Sequence, residues 1–297
     1  MILKRTLTLL FFSFSLTISA AHGVTNAIVA TEKPRHFKLE QYRKGVAIRL
    51  TAGGKDRLFQ VDTAGGVTVI SPSLAADLGC RPWGSITGFH MTGNKISSPR
   101  CDRVALRAAD TDLIAPVAAV MTVGMPESPL DGLLALDVFA SKTITIDFSR
   151  GDMFIETSAS ALDRERAGTE IPAHMAREIG GLSLSIFIDV PAKQGPLRME
   201  LDSGNGGTIL VSKPSRELVG LSTADDKPQV GTFHIAPGIN ATGVIFTPDL
   251  VIDGNLGMPF LKNWIVTMDL KEGRVWFAPS TVAPPTGMGT PPPLPIQ

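Results

Sequence analysis

The chain has 297 residues, of which 43% are apolar and 19% charged, enough for two modest folded domains. Its 28 basic residues balance its 28 acidic ones, so there is no basic surplus to neutralise phosphate groups, and a nucleic-acid partner is disfavoured. The cysteines and scattered histidines have no zinc-ligand spacing, and we expect neither a metal ion nor another cofactor.

The N-terminal segment has the layout of a secretory signal peptide, with residues 1–23 as its expected extent. Lys4 and Arg5 precede a mostly apolar stretch over 6–18, and small residues follow it. That stretch is shorter than the roughly 20 residues of a membrane-spanning helix, which disfavours the alternative of a membrane anchor. We therefore expect an exported protein, periplasmic or secreted, with no stable membrane anchor.

The strands are predicted from alternating apolar and polar residues and from frequent β-branching. Helices are expected to be few and short, and their absence between strands disfavours parallel βαβ units. The sequence therefore predicts an all-β, mainly antiparallel fold. The predicted strands are 46–50, 58–61, 68–70, 144–148, 186–190, 197–201, 209–211, 265–269 and 275–277.

The sequence contains only two cysteines, Cys80 and Cys101. In a reducing compartment they would be expected to remain buried thiols, whereas an even pair in an exported chain suggests a disulfide. Because the N-terminal segment predicts export, we interpret Cys80 and Cys101 as a candidate disulfide.

An internal repeat is the most informative feature of the sequence. FQVDTAGGVTVIS at 59–71 matches MELDSGNGGTILVS at 199–212, and in both an apolar strand pattern leads into Asp, a hydroxyl residue and small residues. TGFHMTGN at 87–94 matches GTFHIAPG at 231–238, and each has the turn residues of a hairpin tip.

A third pair of blocks follows in the same order. Residues 131–156 and 253–279 each begin with Asp-Gly, pass through a small apolar patch and enter a strand that turns on a glycine. Three matched blocks in one order predict an internal duplication.

The repeat defines the expected domains. The N-terminal lobe spans 36–157 and the C-terminal lobe 169–280, joined by a polar linker at 158–168. The Pro-rich tail, 281–297, is expected to be extended or disordered.

The duplication places one aspartate of each lobe, Asp62 and Asp202, in the same local setting. If the lobes pack about a pseudo-twofold axis, equivalent residues meet there, and two adjacent carboxyls hold a single proton over a wide pH range. Such a pair can activate a water molecule for attack on a carbonyl group. A turn is the simpler interpretation of either segment taken alone.

These motifs resemble the retropepsin and pepsin group of aspartic peptidases, and more closely bacterial exported proteins with two retropepsin-like lobes in one chain. The resemblance covers about 36–280. It implies two acid-protease lobes, with Asp62 and Asp202 as the catalytic pair. Thr63 and Ser203 would brace the two loops across the interface. Gly204 would be the close-packed residue of the Asp-Thr/Ser-Gly signature.

The matched hairpins would correspond to flaps over the substrate cleft. Phe89 and His90 of the first hairpin, and Phe233 and His234 of the second, are the expected flap or substrate-binding residues. The expected partner is a peptide or an unfolded protein. Since both lobes lie in one chain, a monomer would suffice.

The first lobe departs from the family pattern at two positions, with Ala64 and Ala135 where glycine is usual. An added methyl group in the aspartate loop could shift the backbone unless φ is negative there. Two functions stay open: an aspartic-type endopeptidase, and a weakly active or inactive peptide-binding protein that retains the fold.

Overall fold

The computed structural model describes residues 32–293, so the predicted signal peptide lies outside the described residues. Each predicted strand overlaps an observed one, helices are few and short, and the predicted all-β fold is confirmed. No helix among residues 32–293 is long and apolar enough to cross a membrane.

The strands are β1 (Arg35–Tyr42), β2 (Gly45–Ala52), β3 (Lys55–Val61), β4 (Val69–Ile70), β5 (Trp83–Phe89), β6 (Lys95–Ala108), β7 (Thr111–Val120), β8 (Gly124–Met125), β9 (Ser128–Pro129), β10 (Gly132–Leu134), β11 (Thr143–Asp147), β12 (Asp152–Ile155), β13 (Thr169–Ile171), β14 (Ala173–Ala176), β15 (Ser185–Val190), β16 (Leu197–Leu201), β17 (Ile209–Val211), β18 (Gln229–Ala236), β19 (Ile239–Phe246), β20 (Gly254–Leu256), β21 (Trp264–Asp269) and β22 (Arg274–Pro279). The α-helices are α1 (Pro72–Asp77), α2 (Ser158–Ala167) and α3 (Met258–Leu261), and 3-10 turns cover Leu136–Phe139, Ile179–Gly181 and Lys213–Val219.

Strands of both lobes belong to one thirteen-stranded sheet. Six of its strands lie in the order β13-β22-β21-β11-β12-β1, and β11 of the first lobe pairs antiparallel with β21 of the second. At the centre of that pairing, Thr145 lies opposite Thr267, and their buried hydroxyl groups are 2.9 Å apart. Strands from corresponding blocks therefore pair with each other in the shared sheet.

Each lobe presents its aspartate at the end of a strand held between neighbours. β3 and β16 pair in parallel with β10 and β20, and each of these partners pairs antiparallel with β4 or β17. The Asp62 N–H donates to the Leu134 carbonyl at 3.0 Å, and the Asp202 N–H donates to the Leu256 carbonyl at 3.1 Å. Both aspartate loops thus start from the same backbone frame.

The hairpins differ between the lobes. In the first lobe β7 is the parallel neighbour of β4, with β6 and β5 beyond it, whereas in the second lobe β19 is the parallel neighbour of β17, with β18 at the edge. The β18–β19 hairpin therefore corresponds by sheet position to β6–β7, not to β5–β6, although the residue letters match those of β5–β6.

Two segments outside the lobes have structure that the sequence did not predict. Most of 158–168 forms α2, which begins at a capping box made by Thr157 and Ser160. The tail was expected to be extended or disordered, but Met288 is buried in the core and the Gly289 N–H donates to the Lys44 carbonyl at 2.9 Å. A methionine among prolines gives the tail an apolar group that can pack.

Cys80 and Cys101 form a disulfide, with their Cα atoms 6.2 Å apart. Cys80 follows α1, and Cys101 lies in β6, the return strand of the β5–β6 hairpin. Closing a loop of this size contributes about 3 kcal/mol in the chain-entropy description.

Candidate active site

The two aspartate loops are tied to each other by their hydroxyl residues. The Thr63 hydroxyl donates to the Leu201 carbonyl at 2.6 Å and accepts the Ser203 N–H at 2.9 Å. The Ser203 hydroxyl donates to the Val61 carbonyl at 2.7 Å and accepts the Thr63 N–H at 3.1 Å. Both side chains are buried, so these four bonds fix one loop against the other without competition from water.

This bracing brings the carboxyl groups of Asp62 and Asp202 into one site between the lobes. Loop N–H groups donate to each: Ala64 to Asp62 Oδ1 at 3.1 Å, and Asn205 to Asp202 Oδ1 at 2.9 Å. Asp202 is buried, and Asp62 is partly exposed. Each aspartate therefore has a fixed orientation and an N–H donor from its own loop.

The environment raises the pKa of both carboxyls. Burial, followed by the negative charge of Asp202, raises the pKa of Asp62 to about 7. Burial also raises the pKa of Asp202, although hydrogen bonds from Asn255, Asn205 and Gly204 oppose the rise. A pair in which one charge disfavours the other holds one proton across a broad pH range.

Gly204 allows the loops to approach closely. A Cβ atom at this position would lie 2.6 Å from Asp62 Cγ, which no real side chain tolerates. Ala64 is the corresponding residue of the first loop, and it is not among the non-glycine residues with positive φ within 32–293. The methyl group of Ala64 is thus carried by ordinary backbone, as the sequence argument required.

Two further residues of the site, Glu200 and Asn255, were missed by the sequence analysis. Glu200 is 8% exposed, and burial, then the charges of Asp202 and Asp62, raise its pKa to about 8. Asn255 is fully buried beside it. The aligned blocks do show a difference between the lobes at these positions: Glu200 aligns with Gln60, and Asn255 aligns with Leu133.

The first hairpin reaches over to the second lobe. At its tip the Met91 carbonyl accepts the Val251 N–H at 2.9 Å. A positive charge on His90 would lower the pKa of Asp202. Phe89 is 70% exposed. The hairpin that carries Phe89 and His90 therefore crosses to the second lobe, with Phe89 exposed on it.

The second hairpin does not place its predicted residues in the same way. Phe233 is 4% exposed and packs in the hydrophobic core, so the expectation that its ring faces substrate is wrong. The reason is the alternation of β18, which turns Phe233 and Ile235 inward and Thr232 and His234 outward. His234 is exposed, and its Nδ1 lies 3.2 Å from Asn240 Oδ1.

A cavity of about 330 Å³ adjoins the second aspartate loop. Lys44, Gln60, Gly204 and Gly207 line it, and Pro292 of the C-terminal tail contributes to its wall. The Gln60 amide donates to the Gly204 carbonyl at 3.2 Å. The cavity therefore extends from the bracing region towards the tail.

Comparisons with known proteins identify the fold. The sequence matches no protein-family model and no curated protein. The structure is similar to basic 7S globulin from soybean, with 11% sequence identity, a TM-score of 0.51 and coverage of 84% of this chain and 95% of that one. Conglutin gamma, a basic 7S globulin from lupine seeds, has 10% identity, a TM-score of 0.52 and coverage of 83% and 95%.

An aspartic proteinase from Irpex lacteus is similar to the same degree, with 9% identity, a TM-score of 0.51 and coverage of 84% of this chain and 98% of that one. At these identities the likeness concerns the fold alone. The chain has a pepsin-like fold. The same likeness extends to seed globulins and to a proteinase, so activity has to be argued from the site.

Proposed function

We propose that the protein is an aspartic-type endopeptidase of the two-lobed, exported kind, with Asp62 and Asp202 as its catalytic pair. The observation that carries the proposal is the pair itself. Two carboxyls from corresponding loops share one site, are braced by reciprocal hydroxyl bonds, and both have a raised pKa. Export and internal duplication belong to this proposal as predictions from the sequence.

The chemistry follows from a pair that holds one proton, which is how aspartic proteases work. The ionised carboxylate takes a proton from a water molecule as its oxygen attacks the peptide carbonyl carbon. The protonated carboxyl donates its proton to the carbonyl oxygen, which gives a neutral tetrahedral intermediate. When the C–N bond breaks, the carboxyl that took the proton of the water gives it to the amine nitrogen, and the other carboxylate takes a proton back from a hydroxyl of the intermediate. The products are a new carboxyl terminus and a new amine terminus, and the pair again holds one proton.

The test uses the mature chain and denatured casein between about pH 3 and 7. We expect hydrolysis that a transition-state-mimicking aspartic-protease inhibitor blocks. Asp62→Asn and Asp202→Asn should each abolish it with the fold intact, because an amide can neither hold the charge nor supply the proton. Asp269→Asn is the matched control, since Asp269 caps the turn after β21, outside the site. Unchanged cleavage by Asp202→Asn would overturn the mechanism.

A second function, a peptide-binding protein with little or no turnover, is favoured by the structural likeness to seed globulins. It predicts that the mature chain binds the inhibitor while casein stays intact at every pH. Inhibitor binding measured by calorimetry beside the casein assay therefore separates the two functions.

A further inference from the structure

The second aspartate has a side-chain partner that the first one lacks. Asn255 lies in β20, where it is opposite Glu200 of the parallel neighbour β16. In the first lobe the same place in β10 is occupied by Leu133, opposite Gln60. Of these two equivalent positions, only the one in the second lobe carries an amide side chain.

The amide of Asn255 is aimed at the carboxyl of Asp202. Its Nδ2 donates to Asp202 Oδ2 at 2.7 Å and to Glu200 Oε2 at 3.4 Å, and the side chain is fully buried. Together with the Asn205 N–H on Oδ1 at 2.9 Å, this places a donor on each oxygen of Asp202. Both hydrogen bonds favour the ionised form of Asp202, which is the stronger acceptor.

The orientation of the Asn255 amide is fixed by its neighbours. Its Oδ1 accepts Asn205 Nδ2 at 2.8 Å, so Nδ2 must face the carboxylates. The Asn205 amide is oriented in turn, because its Oδ1 accepts the N–H groups of Gly207 and Thr208 and the Thr208 hydroxyl. A flipped Asn255 would set two nitrogens against each other and two oxygens against each other.

The first carboxyl is held differently. The Ala64 N–H donates to Asp62 Oδ1 at 3.1 Å, and within residues 32–293 no side-chain donor reaches the Asp62 carboxyl. Each side-chain donor to a buried carboxylate favours its charged form. Because the first lobe has Leu133 in place of Asn255, the charged form of Asp202 is stabilised more than the charged form of Asp62.

We propose that Asn255 is a positioning residue that holds the negative charge of the pair on Asp202 and leaves the proton on Asp62. The inference rests on the proposed function for its role in hydrolysis. It makes Asp202 the base that takes the proton of the attacking water, and Asp62 the acid that protonates the carbonyl oxygen.

The charged groups around the pair fit this assignment. The charge on Asp202 helps to raise the pKa of Asp62 to about 7. Burial, then the charges of Asp202 and Asp62, raise the pKa of Glu200 to about 8, which favours its neutral form and so limits the negative charge beside Asp202. A positive charge on His90 of the first hairpin would lower the pKa of Asp202.

The test reads the charges directly, without substrate. The mature protein is labelled with carbon-13 at the aspartate carboxyls, and the chemical shifts are followed by NMR from about pH 3 to 9. Asp62→Asn and Asp202→Asn assign the signals. In the wild-type protein the carboxyl that titrates at lower pH should be the one missing in Asp202→Asn.

Asn255→Leu copies the first lobe into the second. It should raise the lower titration step by about one pKa unit or more, a tenfold change in proton affinity. Leu133→Asn is the converse variant, which keeps Asn255 and should lower the upper step of Asp62. If Asn255→Leu fails to fold, Leu133→Asn carries the test.

Two results would overturn the assignment. The first is that the titration step at lower pH disappears in Asp62→Asn and persists in Asp202→Asn. The second is that Asn255→Leu or Leu133→Asn leaves the pKa values of both titration steps unchanged. A wild-type protein that binds inhibitor without cleaving casein would overturn the proposed function alone, since the titration still locates the charge.

Discussion

The two aspartate loops have the same backbone frame and different polar supports. In the first lobe Thr68 is held from outside the loop by Asp137, whose carboxylate accepts the Thr68 hydroxyl at 2.7 Å and its N–H at 3.0 Å. In the second lobe Asn205, within the loop, accepts the Thr208 hydroxyl at 2.8 Å and its N–H at 3.0 Å. The position that corresponds to Asp137 is Pro259, which carries no acceptor side chain.

The presence of Asn205 in the second loop alone also explains the alanine at position 135. Asn205 replaces Gly65 of the first loop, and its side chain leaves no room behind it, because a Cβ atom on Gly257 would lie 2.7 Å from Asn205 Cγ. The first lobe has the reverse arrangement, glycine at 65 and a methyl group at 135. Each loop has room for a side chain at only one of these two positions, so the methyl group of Ala135 is compensated by the glycine at position 65.

Among variants that keep both aspartates, the largest expected effect tests the close approach of the two loops. Gly204→Ala would place a methyl group against the Asp62 carboxyl and displace it, and we expect casein hydrolysis to fall by about 100-fold. Ala64→Gly in the other loop should change kcat/KM by less than about twofold, since Ala64 already has an ordinary φ. Circular dichroism checks the fold of both. Equal effects from the two variants would contradict the asymmetry.

The second test concerns the compensated pair. Gly257→Ala would bring a methyl group within 2.5 Å of the carbonyl oxygens of Asn205 and Thr208. We expect this crowding to lower the free energy of unfolding by about 1–3 kcal/mol. Ala135→Gly should cost about 1 kcal/mol or less. Denaturant unfolding measures the free energy of unfolding of both variants. A Gly257→Ala protein as stable as the wild type would show that the loop can accommodate the added methyl group.

The third test is the pH dependence of stability. Asp62 and Glu200 have a higher pKa in the folded chain than the ordinary values of 3.8 and 4.5. The folded state therefore binds more protons than the unfolded state over this range, and the free energy of unfolding falls as pH rises from about 4 to 8. We expect a loss of about 2 kcal/mol or more, measured by denaturant unfolding at several pH values.

Glu200→Gln sharpens that measurement, since it gives the second lobe the glutamine that the first has at position 60. It should remove the part of the slope that lies between about pH 5 and 8. Gln60→Glu is the reverse control and should steepen the slope. A slope that Glu200→Gln leaves unchanged would show that Glu200 does not hold a proton in the folded protein.

The sequence was sufficient for features that depend on local pattern. The strands predicted at 197–201 and 209–211 coincide with β16 and β17, and the all-β class follows from the same alternation. The resemblance to aspartic peptidases also singled out Thr63 and Ser203, whose hydroxyls do bond across the loops. Local pattern is informative here because one face of nearly every strand is buried.

The remainder depended on contacts between distant segments. Asn255 reaches Asp202 only because β20 lies beside β16, and a buried amide in an apolar block has no visible partner in the sequence. The Phe-His match between the hairpins misled the placement of Phe233, since sheet position and strand register decide which side chain faces inward. The packing of Met288 required a surface formed by other parts of the chain.

The hydrogen bond between Met91 and Val251 has a topological consequence. While it is intact, the tip of the first hairpin is tied to the second lobe, so the two lobes are joined there as well as through the shared sheet and the braced loops. The hairpin can move away from the second lobe only if this bond opens, and the bond re-forms when the hairpin returns.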